Sequence, residues 1–102
     1  MAEALYTPQA RRDLADIEDY ITDVLCNPIA AANVLTEILD KVDQAVEFPN
    51  SAAPLSSIAN VESDYRVLVC GNYLAFFRIE AENIRVIRVL YGKSEYIKAL
   101  FG

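Results

Sequence analysis

The period of the apolar pattern changes partway along this chain, and that change restricts the fold more than any single motif. Up to Phe48 the apolar residues recur every three to four positions, in two stretches that each open on a polar residue and a proline. From Tyr65 onward they crowd into short runs broken by turn residues. Ala10, Leu14, Ile17, Ile21 and Val24 follow Thr7-Pro8; Ala31, Leu35, Ile38, Val42 and Ala45 follow Asn27-Pro28 and end at Phe48-Pro49. A Thr or Asn side chain accepts from the first free helical N–H groups, and a proline in the first turn lacks only an N–H that has no helical partner. The spacing therefore predicts two amphipathic helices, and the short link between them makes the pair antiparallel.

Runs at 65–70, 73–80 and 83–91 read as strands, joined by Gly71-Asn72 and by Ala81-Glu82-Asn83, both suited to tight hairpins. Residues 3–6 form a further short strand before Thr7-Pro8. The predicted fold is α+β: a short N-terminal strand and an antiparallel helical hairpin packed on one face of an antiparallel sheet. The segment 50–63 reads as an ordered connection with one helical turn near Leu55 and Ile58, a mobile link being the alternative. If Cys70, Gly71 and Asn72 make the first turn, Tyr65, Val67, Val69, Tyr73, Phe77 and Ile79 share the helix-covered face. Arg66, Leu68, Leu74, Phe76 and Arg78 then share the other.

That second face mixes arginine with Leu68, Leu74 and Phe76, a pattern typical of a surface that meets a partner. Covering by the C-terminal residues Tyr96 to Phe101 is the alternative. The charged face of the first helix, from Arg11 to Asp23, reads as solvated surface, with Arg12 one turn from Asp16.

With 102 residues the chain is long enough for one core, and a single domain over 1–102 is expected. Residues 1–63 hold 3 Lys/Arg against 11 Asp/Glu, and residues 64–102 hold 6 against 4. A net charge of −6 opposes docking to a phosphate backbone, so direct binding of free nucleic acid is not expected. The absence of histidine excludes Ser-His-Asp and Cys-His nucleophile pairs and His-ligated zinc. No metal or cofactor is expected. Cys26 and Cys70 form no CxxC and read as small buried apolar residues. No signal peptide or apolar run of membrane-spanning length is present in the sequence, which predicts a cytoplasmic protein with no membrane partner.

The order strand, helical hairpin, meander resembles the RelE/ParE superfamily of type II toxins. The likeness is carried by YIxxxxxNPxAA at Tyr20 to Ala31, Phe48-Pro49, Arg66 opening a strand, Asn72-Tyr73-Leu74 before an aromatic pair, and Arg88-Val89-Leu90 before Gly92-Lys93. The resemblance implies a bacterial toxin neutralised by a cognate antitoxin, and one of two targets. RelE-like members are ribosome-dependent mRNA interferases that cleave without a metal; ParE-like members block DNA gyrase. For the nuclease branch the resemblance carries over Arg66, Arg88, Lys93 and Tyr96. Leu68 and Leu74, however, stand where that branch holds cations, and Tyr91 stands about where some members hold a histidine. The YLxFFR string at Tyr73 to Arg78 resembles the ParE-like form, in which the chain blocks rather than cuts. For antitoxin or target binding the candidates are Arg66, Leu68, Leu74, Phe76, Arg78 and Arg88. A third reading keeps the fold without toxicity, the acidic helices serving as a homodimer or antitoxin surface.

Overall fold

Both proline-opened helices form where their caps predict. The computed structural model of the chain describes residues 2–102. Strand β1 (Ala4–Tyr6) leads into α1 (Pro8–Asp19), whose cap Thr7 accepts at Oγ1 from the Ala10 N–H at 3.0 Å. The same hydroxyl donates to the Ile87 carbonyl at 2.8 Å, so one side chain caps the helix and ties it to the far end of the chain. Helix α2 (Pro28–Glu47) is capped by Asn27, whose Oδ1 accepts from Ala30 at 3.1 Å. Between the helices Cys26 takes a left-handed conformation, with φ 53°.

The first helix does not end as a regular stripe. After Asp19 it widens into a π-helical turn over Tyr20–Val24, closed by Leu25 N–H bonding to the Tyr20 carbonyl at 3.2 Å. A wider turn shifts the phase of the residues after it. Ile21 stays buried, but Val24, expected in the stripe, faces solvent beside exposed Tyr20 and Leu25.

The sheet has five strands in the order β1-β5-β4-β3-β2, where β2 is Ala53–Pro54, β3 Arg66–Cys70, β4 Tyr73–Glu80 and β5 Asn83–Tyr91. β3, β4 and β5 make the expected antiparallel meander. The sheet as a whole is mixed, because β1 joins β5 in parallel with Ala4 opposite Ile84 and Tyr6 opposite Val86. β2 lies inside the segment read as a connection, and a 3₁₀ turn follows it at Leu55–Ser57, near the expected helical turn.

The register corrects the expected faces of β3. Cys70 pairs directly with Tyr73, so the turn has two residues, Gly71 and Asn72, with Gly71 at φ 62°. A shift of one residue in register moves a strand's side chains to the opposite face. Leu68 and Cys70 therefore pack with Tyr73, Ala75 and Phe77 against the helices, and Tyr65 and Val67 pack with Leu74 and Phe76 on the other side. Arg66, opposite Phe77, and Val69, opposite Leu74, are likewise on the faces contrary to those expected.

The sheet thus separates two cores. On the helix side, Ala10, Ile17, Ile21, Ala31, Ile38 and Val42 meet Phe77, Ile84, Val86 and Val89, with Leu14 and Leu35 half-buried at the margin. On the other side, Leu55, Val67 and Phe76 are buried beneath α3 (Tyr96–Phe101), which contributes Tyr96, Ile97 and Leu100. Phe76 and Phe77 are adjacent and both fully buried, one in each core, as the alternation of a strand requires. A bulge at this point skips Ile87, leaving Phe76 opposite Arg88 and Phe77 opposite Val86.

Both cysteines are free, and Cys26 is exposed, contrary to its expected burial; Cys70 is buried as expected. Burial pushes the Cys70 thiol from its ordinary 9.0 up to about 11, with Lys41 opposing the rise and the Glu37 carboxylate adding to it. The Tyr6 phenol rises from 10.0 to about 12 through burial, and then through Asp43 and Cys70. Each group is held neutral by the fold above the pH at which it ionises in the unfolded chain. Unfolding therefore releases protons, and stability falls as pH rises through roughly 9 to 12. The urea midpoint should be level near neutrality and decline through that window; a midpoint unchanged at high pH would contradict the burial of these two groups.

Candidate functional site

The arginines that dominate the second half of the sequence are tied within the molecule. Arg88 Nε and Nη2 donate to the two carboxylate oxygens of Asp13 at 2.7 and 2.9 Å, and the Val89 N–H donates to Asp13 Oδ2 at 3.0 Å. Asp13 is only 8 % exposed, so the acidic helix face read as solvated carries one buried carboxylate. The bonds it donates to Asp13 push the Arg88 pKa up, against the opposing effect of burial. Arg88 Nη1 also donates to the Ala99 carbonyl at 3.3 Å, which connects α1, β5 and α3 through one guanidinium.

Arg66 Nη1 donates to the Ala52 carbonyl at 2.7 Å and braces the segment before β2. Arg78 lies 3.4 Å from Asp64 and 3.8 Å from Glu80. Arg85 Nε reaches both oxygens of Glu80 at 2.9 and 3.0 Å. Lys93 is exposed on the turn after β5. The Tyr96 ring lies 5.4 Å from that of Phe76, and Phe101 stacks on Tyr65 at 5.6 Å.

The residues singled out from sequence are therefore divided. Leu74 and Phe76 share the second core, and Tyr96 packs onto them. Leu68, expected beside them, belongs to the helix-side core. Arg66 on β3 and Arg88 on β5 flank the central strand β4 from opposite sides. The alternative of a sheet face covered by the chain's own C-terminal residues describes the observed packing. No group of three or more His, Cys, Asp or Glu side chains suited to a metal ion occurs among the described residues.

A second surface went unread in the sequence. Between α1 and the adjoining ends of β4 and β5 runs an open groove of about 640 Å³, lined by Asp16, Tyr20, Leu25, Tyr73, Tyr91 and their neighbours. The Tyr73 and Tyr91 rings meet edge to face at 5.8 Å and 67°. The Tyr73 phenol is raised by burial, then by Tyr91 and Tyr20, which places the three rings in one electrostatic neighbourhood. Tyr20 and Tyr73 stand inside strings that carry the family resemblance, and Tyr91 ends the last strand. The signal was present in these motifs, but no spacing rule brings residues 20, 73 and 91 together.

The family model for the ParE toxin of the type II toxin–antitoxin system parDE matches residues 4–96. The chain belongs to the ParE toxin family. Among solved structures, this ParE-family chain is similar to one from the chromosomal ParDE toxin–antitoxin system of P. aeruginosa, at 25 % identity and a TM-score of 0.74 over 89 % of this chain and 96 % of that one. It is also similar in fold to YafQ from E. coli, at 16 % identity and a TM-score of 0.52 with both chains fully covered. No curated protein matches the ParE-family sequence. Among the described residues no helix is long and apolar enough to cross a membrane.

Proposed function

We propose that this ParE-family toxin arrests growth by binding and blocking a protein target such as DNA gyrase, and that a cognate antitoxin neutralises it. The observation that carries this reading is the engagement of Arg66, Arg78, Arg85 and Arg88 by the protein's own acceptors. Metal-free RNA cleavage needs a base, an acid and a cation facing the developing phosphorane charge, each supplying roughly 10²- to 10⁴-fold. Arginine stays protonated and cannot act as the base. Leu68 and Leu74, where a nuclease of this superfamily would hold cations, are packed into the two cores. These features favour blocking over cutting.

Purified toxin should inhibit gyrase supercoiling and leave a translated message intact in primer extension. Discrete cuts in the ribosomal A site that vanish in Arg66→Ala or Tyr96→Phe would overturn the proposal and restore an mRNA interferase.

The antitoxin segment, on the same proposal, lies across the sheet and C-terminal region, with carboxylates toward Arg78 and Arg88, apolar side chains toward Leu74 and Phe76, and a further carboxylate reaching round the start of β3 to Arg66, which its pairing with Phe77 turns to the opposite face. Reaching that pair requires α3 to shift, since Phe76 is fully covered. Arg88 also anchors Asp13, so the informative variant is Arg66→Glu with Arg78→Glu. That double reversal should weaken the toxin–antitoxin complex about tenfold or more, through a faster dissociation rate. An unchanged dissociation constant would move the interface to the helical hairpin.

A further inference from the structure

The groove between α1 and the ends of β4 and β5 has a chemistry of its own. Its walls are aromatic and its free charge is negative. Tyr20 and Tyr91 are 51 % and 45 % exposed, and Tyr73 lies deeper between them. Among the described residues, none of the three phenol oxygens has a hydrogen-bond partner and Asp16 has neither an ion pair nor a hydrogen bond, so its expected pairing with Arg12 does not form. Asp13, at the floor of the same groove, is already neutralised by Arg88. The unpaired acceptors are therefore one carboxylate and three phenols, beside ring faces whose quadrupoles attract cations.

A guest complementary to this arrangement carries positive charge, several N–H donors and a planar group that stacks on aromatic faces. Guanidinium has all three, and an ammonium has the first two. The rim adds a further requirement. Leu25 lines the groove and is 56 % exposed, and Ile17 and Leu90 line it too, so the cation pocket has apolar ground beside it. A free polyamine has nothing to place there, whereas a peptide has flanking side chains. The net charge of −6 draws a basic segment toward the protein before contact.

We propose that this groove is a docking site for a basic peptide segment of a partner protein, which inserts an arginine among Tyr20, Tyr73 and Tyr91 against Asp16 and rests its apolar neighbours on Leu25. The site stands apart from the sheet face covered by α3 and does not depend on which target the toxin blocks.

The test is an amide-resolved NMR titration of the full chain with the blocked tripeptide acetyl-Leu-Arg-Leu-amide, its citrulline analogue and spermidine. The arginine peptide should give saturable shifts at the amides of Tyr20, Leu25, Asn72, Tyr73 and Tyr91. The citrulline peptide has the same shape without the charge, and it should bind about tenfold more weakly or less. Asp16→Asn and Tyr20→Ala alter exposed side chains and should leave the spectrum folded while each weakens the arginine peptide by about tenfold. The absence of saturable shifts at these amides would overturn the proposal. So would equal binding of the citrulline peptide, undiminished binding by both variants, or saturation by spermidine at the same concentration, which would assign the groove to small polyamines.

Discussion

Asp13→Ala is expected to lower the stability of this toxin by about 3 to 5 kcal/mol, as removal of one partner from a buried ion pair does. Asp13 holds Arg88 by two charge-assisted bonds and also accepts from the Val89 N–H. The substitution therefore leaves a largely covered guanidinium, 20 % exposed, without its counterion and a strand N–H without an acceptor. Arg88 keeps its bond to the Ala99 carbonyl, which softens the loss without replacing the charge. Asp13→Asn retains an acceptor but cannot serve both guanidinium nitrogens and the Val89 N–H, so it should fall between Ala and the parent chain. Replacing both members with leucine should recover much of the stability, because a well-packed apolar pair needs no counterion. Urea denaturation of the four proteins checks the series, and a loss below about 1 kcal/mol in Asp13→Ala would mean the pair is solvated like an ordinary surface bridge.

Phe76→Ala and Phe77→Ala should each cost about 3 to 5 kcal/mol, the usual range for emptying a buried aromatic site, and they should differ in where the loss is felt. Phe77 lies between the sheet and the helical hairpin, so its loss weakens the core that every large element shares. Phe76 lies under α3 against Tyr96 and Leu55. α3 spans only six residues, too few to hold together without the surface it covers. Hydrogen exchange should consequently accelerate in Ala99 to Gly102 well before the β4–β5 ladder in Phe76→Ala, and in both regions together in Phe77→Ala. Uniform acceleration in both variants would show that the sheet does not separate two cooperative units.

The helices and meander were legible because their signals are local: Thr7-Pro8 and Asn27-Pro28 fix helix starts, and Gly71-Asn72 fixes a hairpin. What escaped reading depends on distance in sequence or on a single residue of register. The turn at Gly71 could be read with two or three residues, and the wrong choice placed Leu68 on the same side as Phe76. The charge of Asp13 looked like that of its exposed neighbours because its partner stands 75 positions away. The phase shift after Asp19 has no composition signature, so spacing alone extends the stripe to Val24. The candidate site suffered most. In the sequence Arg66 and Arg88 stand as charges free to meet a partner, because their acceptors, Ala52 and Asp13, are distant along the chain. The tyrosine groove is assembled from three separate parts of the chain.

The parallel pairing of β1 with β5 also bears on how the toxin comes into being. Thr7 bonds to Ile87, 80 residues later, so the first strand has no edge to join until those intervening residues have been synthesised. At roughly 5 to 20 residues per second, synthesis of that interval takes on the order of several seconds, during which the amphipathic hairpin has emerged without the sheet it covers. Such non-local closure also slows folding itself, because the loop must be ordered before its contacts repay the entropy. A truncated or stalled nascent chain ending before Asn83 contains neither the edge for β1 nor the arginine for Asp13. The topology delays the finished toxin fold until β5 has been synthesised, and leaves an interval in which a chaperone or a partner made alongside it meets the chain unfolded.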